Sequence, residues 1–101
     1  IQFTLADMAT EIEAARALTY HTARMMDANS PETDKYCAMT KRFASDTAIK
    51  VTNEAVLILG GYGYISDHPV ERMLRDAKMW QIVEGTNHIQ RLIIARHLLN
   101  Q

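Results

Sequence analysis

Glu84, Gly85 and Thr86 stand together just ahead of an apolar-periodic stretch, and they carry the clearest chemical potential in this sequence. Thr86 is expected to cap a helix. The unpaired N–H groups of that helix's first turn, with the positive end of its dipole, would form a seat for an anionic ligand group. A carboxylate at the junction, Glu84, either exchanges protons with a substrate or simply caps and solvates. A second candidate is the run Gly60-Gly61-Tyr62-Gly63-Tyr64. Glycine allows positive φ and close approach of a ligand to the backbone. The same run also reads as a helix stop followed by a turn. No Gly-Lys-Ser/Thr follows it, so it is not the phosphate loop of a nucleotide hydrolase. His21, His68, His88 and His97 show no metal-ligand spacing; His88 and His97 lie nine residues apart on one helix and point in nearly opposite directions. Glu11 and Glu13 lack the Glu-x-x-His companion of a di-iron bundle. No metal site is expected. Cys37 falls in a helical seam and reads as a small core residue, as the methionines read as core filler.

These residues sit at breaks between helical segments. Ile1, Leu5, Met8, Ile12 and Ala15 recur at helical spacing and predict a first helix from about Ile1 to Met26, with Thr4, Asp7 and Glu11 as a narrow polar stripe. Phe3, Ala6, Ala9, Ala14, Ala17 and Leu18 add apolar surface outside the stripe, so this helix needs partners on more than one side. A second helix is predicted to start with Ser30 as N-cap and Pro31 at the first position, and to end at Leu59 with Gly60 or Gly61 as a left-handed cap. It would be roughly 43 Å long. A third begins near Pro69, capped by Asp67 or His68, and buries Val70, Met73, Leu74, Ala77 and Trp80. A fourth begins at Thr86 and carries Ile89, Leu92, Ile93 and Leu99. No stretch alternates as a strand would, so the fold class is all-α, an antiparallel helical bundle with short connections.

Composition narrows the function classes. Eleven basic against twelve acidic residues give a net charge of -1, without a Lys/Arg cluster, which removes the footprint of a nucleic-acid binder. The longest apolar runs fall far short of the roughly 20 residues a membrane span needs. A single cysteine cannot form an internal disulfide, so a reducing compartment is expected. The chain opens Ile1-Gln2-Phe3 without a signal-peptide pattern, and the expectation is a piece cut from something longer.

Gly60-Gly61-Tyr62-Gly63-Tyr64, Pro69-Val70-Glu71-Arg72, Arg75-Asp76-Ala77-Lys78, Glu84-Gly85-Thr86 and Ile89-Gln90-Arg91-Leu92 with Ala95-Arg96 stand in one order at close spacing. That array resembles the C-terminal helical domain of the acyl-CoA dehydrogenase family, and Gln2 to Ala9 is similar to the family's helix entering this domain. The resemblance covers essentially the whole chain, residues 1–101. It implies an FAD flavoprotein whose N-terminal helical and middle β domains are absent here. Such an enzyme forms a trans-2-enoyl-CoA from an acyl-CoA, with a carboxylate removing the α-proton and a hydride passing to flavin N5. The resemblance puts that carboxylate at Glu84. It implies FAD contacts at Gly60, Gly61, Thr86, Asn87 and His88, the two glycines meeting a flavin bound mainly by a neighbouring subunit. It implies substrate contacts at Gly85 and Arg96. It also implies an electron-transferring flavoprotein as partner, a homodimer or homotetramer, and a bacterial cytoplasmic or mitochondrial matrix location. An acyl-CoA oxidase shares the architecture, and the chain alone would be an inactive helical association module.

Three departures from the family pattern stand out. Leu57 replaces a Gln that touches FAD, three residues before the double glycine. Val83 replaces a Tyr before the catalytic Glu, which bears on acyl-chain selectivity. Asn87-His88 replaces Ser-Glu or Ser-Gln.

Overall fold

The Ala-, Leu- and Met-rich stretches form helices in a computed structural model that describes residues 1–100. The order is α1 (Gln2–Asp27), α2 (Thr33–Leu59), α3 (Gly61–Tyr64), α4 (Val70–Trp80) and α5 (Asn87–Leu98), with no strand among the described residues. The all-α class and the short connections agree with the sequence reading. Helix α2 is the axis of the structure. The other four helices all pack on it, while α1 makes no close backbone approach to α4 or α5, nor α4 to α5.

Several boundaries differ from expectation. Ser30 does not cap α2. Its hydroxyl accepts the Glu32 N–H at 3.2 Å, and its carbonyl accepts from Thr33 N at 3.2 Å and from Thr33 Oγ1 at 2.7 Å. Those bonds close a turn through Pro31, and the helix begins only after it, at Thr33. Neither Asp67 nor His68 caps α4; Pro69 takes the N-cap position without a side-chain bond. The glycine run is more than a stop. Gly60 ends α2 at φ 61°, and residues 61–64 then wind into one helical turn. Thr86 does cap α5, its Oγ1 accepting the Ile89 N–H at 3.3 Å.

The face of α1 turned to α2 is another correction. Thr4, Met8, Glu11, Ala15, Leu18, Thr22 and Met25 are its protected positions, alternating four and three apart as a coiled-coil seam does. Ile1, Leu5 and Ile12, expected inside, are exposed, as is Phe3. Polar residues can occupy this seam because α2 supplies partners: Thr22 Oγ1 lies 2.6 Å from Thr40 Oγ1, and Glu11 pairs with Lys50. The hydrogen bond and charge of Glu11, with Asp7 and Glu54 adding, raise the Lys50 pKa above its ordinary value. The predicted stripe is thus split: Met8 and Ala15 face α2, while Ile1, Leu5 and Ile12 face out.

Little of the interior is large and apolar. Ala38 and Ala77 are the buried hydrophobic residues, beside buried Thr22, Ser45, Thr47, Asn87 and Gln90. The chain extends 48 × 24 × 22 Å with a radius of gyration of 15.7 Å, against about 13 Å for a compact domain of this length. Its accessible surface is 7087 Å², where a monomer of this mass shows about 5,800 Å². Ile1, Phe3, Leu5, Leu57, Trp80 and Ile82 are among its exposed large hydrophobic residues.

Close packing does occur where α3 meets α2. A Cβ on Gly63 would lie 2.7 Å from the Val56 carbonyl oxygen and 2.9 Å from Val56 Cα, backbone atoms that cannot swing aside. Gly63→Ala is therefore expected to destabilise by about 1–3 kcal/mol. A Cβ on Gly61 meets nothing within 4 Å, so Gly61→Ala should melt with the wild type. Thermal melts of the two variants check the contrast, and equal melting temperatures would refute it.

Candidate active site

The loop between α4 and α5 is a built turn. Ile82 and Val83 donate their N–H groups to Met79 O at 2.9 and 3.0 Å, winding the chain off the end of α4. The Asn87 N–H returns to Gln81 O at 3.1 Å and closes the loop. Between them, Glu84 has φ 56° and Gly85 φ 83°, two left-handed residues in succession. The conformation costs a residue with a Cβ roughly 1–2 kcal/mol, so Glu84 is held there by its surroundings. Gly85 is favoured by its φ, and a Cβ there would sit 2.7 Å from Gln90 Nε2 and push that amide off the turn.

Both loop carbonyls are anchored. Buried Gln90 donates through Nε2 to Glu84 O at 3.1 Å and to Gly85 O at 3.3 Å. Lys41, reaching across from α2, donates to Gly85 O at 2.8 Å and to Asn87 Oδ1 at 2.7 Å. The Asn87 amide then donates to Ser45 Oγ at 2.8 Å and Asp46 Oδ1 at 2.6 Å. Asp46 also accepts from Gln81 Nε2 at 2.8 Å and meets Arg91 at 3.4 Å and Arg42 at 3.6 Å. One stretch of α2, Lys41 to Asp46, thereby fixes the end of α4, the turn and the start of α5.

Glu84 itself is exposed and lines a cleft of about 510 Å³ with Asp34, Cys37, Ala38, Lys41, Gln90, Ile93 and His97. A carboxylate whose backbone is pinned and whose side chain faces a cleft is suited to proton abstraction from a ligand lying there. Thr86 is half-buried and His88 exposed beside it. Asn87 is turned inward, 6% exposed, with its side-chain oxygen and nitrogen both engaged by α2. Arg96 is exposed and does not line the cleft, whereas its neighbour His97 does. Gly60 and Gly61 are not gathered here: about 27 Å of helix separates Lys41 from Leu59. Among the described residues no group of three or more His, Cys, Asp or Glu could hold a metal ion, and no helix is long and apolar enough to cross a membrane.

Lys41 and Gln90 had no assigned role in the sequence. Lys41 stands 43 positions before Glu84, within a long helix without local punctuation. Gln90 lies inside the Ile89-Gln90-Arg91-Leu92 run, which by itself assigns it no contact.

Residues 1–99 match the family profile described as acyl-CoA dehydrogenase, C-terminal domain. This chain belongs to the acyl-CoA dehydrogenase family. The domain is 58% identical over 99 residues to an acyl-CoA dehydrogenase of Bacillus subtilis, covering 98% of this chain and 26% of that protein. The butyryl-CoA dehydrogenase of Megasphaera elsdenii superposes on it with a TM-score of 0.93 at 50% identity, covering 97% of this chain and 25% of the other. A chain in a structure of the electron transferring flavoprotein of Acidaminococcus fermentans superposes with a TM-score of 0.94 at 52% identity, covering 99% and 26%. The domain thus spans about a quarter of the length of the relatives it matches.

Proposed function

We propose that this chain is the C-terminal domain of an FAD-dependent acyl-CoA dehydrogenase and that Glu84 is the base that removes the α-proton of an acyl-CoA thioester. The observation that carries the reading is the turn at Glu84: a left-handed, non-glycine residue, anchored through both loop carbonyls, with its carboxylate on a cleft. An α-proton next to a thioester is only weakly acidic, so its removal depends on a base held at a fixed place and on exclusion of water. Glu84 takes that proton onto a carboxylate oxygen as the α,β double bond forms. Gly85 is exposed, so the thioester can pass near its backbone. Arg96 is assigned to the CoA portion from the exposed side of α5.

FAD, when bound, supplies the acceptor for the β-hydride. The residues present fit such a group. Gly60 and Gly61 are exposed, and a Cβ at either would meet nothing, so their backbone is open to a phosphate or ribose. Thr86 and His88 present a hydroxyl and an imidazole at the start of α5. Asn87 contributes from behind, holding that helix end against α2. The distance along α2 between Gly60 and the Glu84 loop suits two different flavins, one shared with a neighbouring subunit. A homodimer or homotetramer is part of the proposal, with the outward face of α1 among the covered surfaces. So are an electron-transferring flavoprotein as acceptor and a bacterial cytoplasmic or mitochondrial matrix location.

The test is acyl-CoA-dependent dye reduction by the purified full-length protein across a ladder of acyl-chain lengths, with FAD content measured in parallel. Turnover with some member of the ladder is expected; a flavin-free protein inert to all of them would sink the reading. The 101-residue chain by itself is expected to retain no FAD through gel filtration and to scatter light as a dimer or larger species at roughly 100 μM, because its apolar surface lacks cover. A yellow, monomeric peak would contradict both expectations.

A further inference from the structure

We infer that Lys41 and Gln90 are positioning residues for Glu84, fixing the turn backbone from which its carboxylate projects; the inference rests on the reading of Glu84 as the base. Three donor contacts converge on two carbonyls, those of the two consecutive left-handed residues. Gln90 is buried, and its amide nitrogen gives both of its contacts to this turn. Lys41 spans from α2 to join Gly85 O to Asn87 Oδ1, which ties the turn to the helix that carries the rest of the polar network. A left-handed Glu can relax by changing its own φ and ψ, since the right-handed and extended regions are more favourable for a residue with a Cβ. Such a change would re-aim the two successive carbonyls, Glu84 O and Gly85 O, away from their donors, so the donors oppose it. The direction of the Glu84 Cα–Cβ bond follows the backbone dihedrals, and the carboxylate swings with it. A displacement of about 1 Å at a reacting group is enough to lower a rate by about 10²-fold.

The contacts differ in kind from those of Asp46, which join helices to one another. Those of Gln90 end on the turn itself, and Lys41 joins one bond on the turn to one on Asn87, whose amide Ser45 and Asp46 also hold. Removing them should therefore leave the helices assembled while loosening the base. Lys41 also lines the same cleft as Glu84, so its stem bounds the space in which the carboxylate moves.

The experiment compares Lys41→Met, Lys41→Arg, Gln90→Met and Glu84→Gln in the full-length holoenzyme. Lys41→Met and Gln90→Met are expected to keep FAD, to change KM by less than about threefold and to lower kcat by at least about tenfold. The isotope effect on kcat with α-deuterated acyl-CoA should rise, because a displaced base makes C–H cleavage more rate-limiting. Lys41→Arg, which keeps donors for both acceptors, should recover part of the loss. Wild-type kcat with an unchanged isotope effect in both methionine variants would overturn the inference. So would failure of both to fold, which would make these contacts part of the fold rather than of the aim of the base. Near wild-type turnover by Glu84→Gln would instead remove the reading of Glu84 as the base, whatever the other variants do.

Discussion

Glu84→Gln in the full-length protein is expected to lower acyl-CoA-dependent turnover by at least about 10²-fold while FAD remains bound. Gln matches Glu in size and accepts the same backbone geometry. The loop contacts at this position run through the main-chain carbonyl, so the substitution leaves them intact. Lys41 and Gln90 would still hold Gly85 O. What changes is that an amide cannot take up the α-proton. The expected signature is a fall in kcat with nearly normal acyl-CoA binding, since the loss is confined to a transition-state interaction. A variant with wild-type turnover would show that another group is the base.

The second large effect is structural. Asn87→Ala is expected to destabilise by about 3 kcal/mol or more, because it strands several partners at once. Lys41 loses one of its two acceptors, Ser45 and Asp46 lose the amide donor, and the bond to Arg42 O at 3.4 Å disappears. The site is buried, so water cannot readily take the amide's place. The loss should appear in a thermal melt as a shift of several degrees, with the flavin released earlier than in the wild type. A melt matching the wild type would mean that the network from α2 does not hold the start of α5. The Asn87 amide is long enough to reach across to Lys41, Ser45 and Asp46.

Much of the fold was legible because its signals are local. Helical periodicity placed the long helices, Gly60 marked the end of α2 through the positive φ it adopts, and Thr86 marked the start of α5 as a capping hydroxyl. The inward face of α1 was not legible. Of the apolar stripe Ile1, Leu5, Met8, Ile12 and Ala15, only Met8 and Ala15 turn inward, and the inward seam includes Glu11 and Thr22, whose partners Lys50 and Thr40 lie on another helix. Hydrophobic patterning reports burial in the whole assembly, and a quarter-length domain leaves part of that pattern uncovered. Ser30 misled for a related reason: a hydroxyl that can cap a helix can equally close a turn, and Pro31 fits either. At the candidate site, Glu84-Gly85-Thr86 was conspicuous in sequence, yet nothing local announced that Glu84 is left-handed or that Lys41 anchors the turn. Both follow from contacts between distant parts of the chain. The resemblance implies an FAD contact at Asn87; that its side chain also engages Lys41, Ser45 and Asp46 of α2 has no local signal in the sequence.

The most direct measurement of the central claim isolates the first half of the reaction. Full-length wild type and Glu84→Gln would each be mixed anaerobically with an acyl-CoA of a length the wild type turns over, while the flavin absorbance is followed. Bleaching in the wild type, with an oxidised spectrum persisting in the acyl-CoA-saturated variant, is the result predicted if Glu84 removes the α-proton. Bleaching of the variant at the wild-type rate would contradict it.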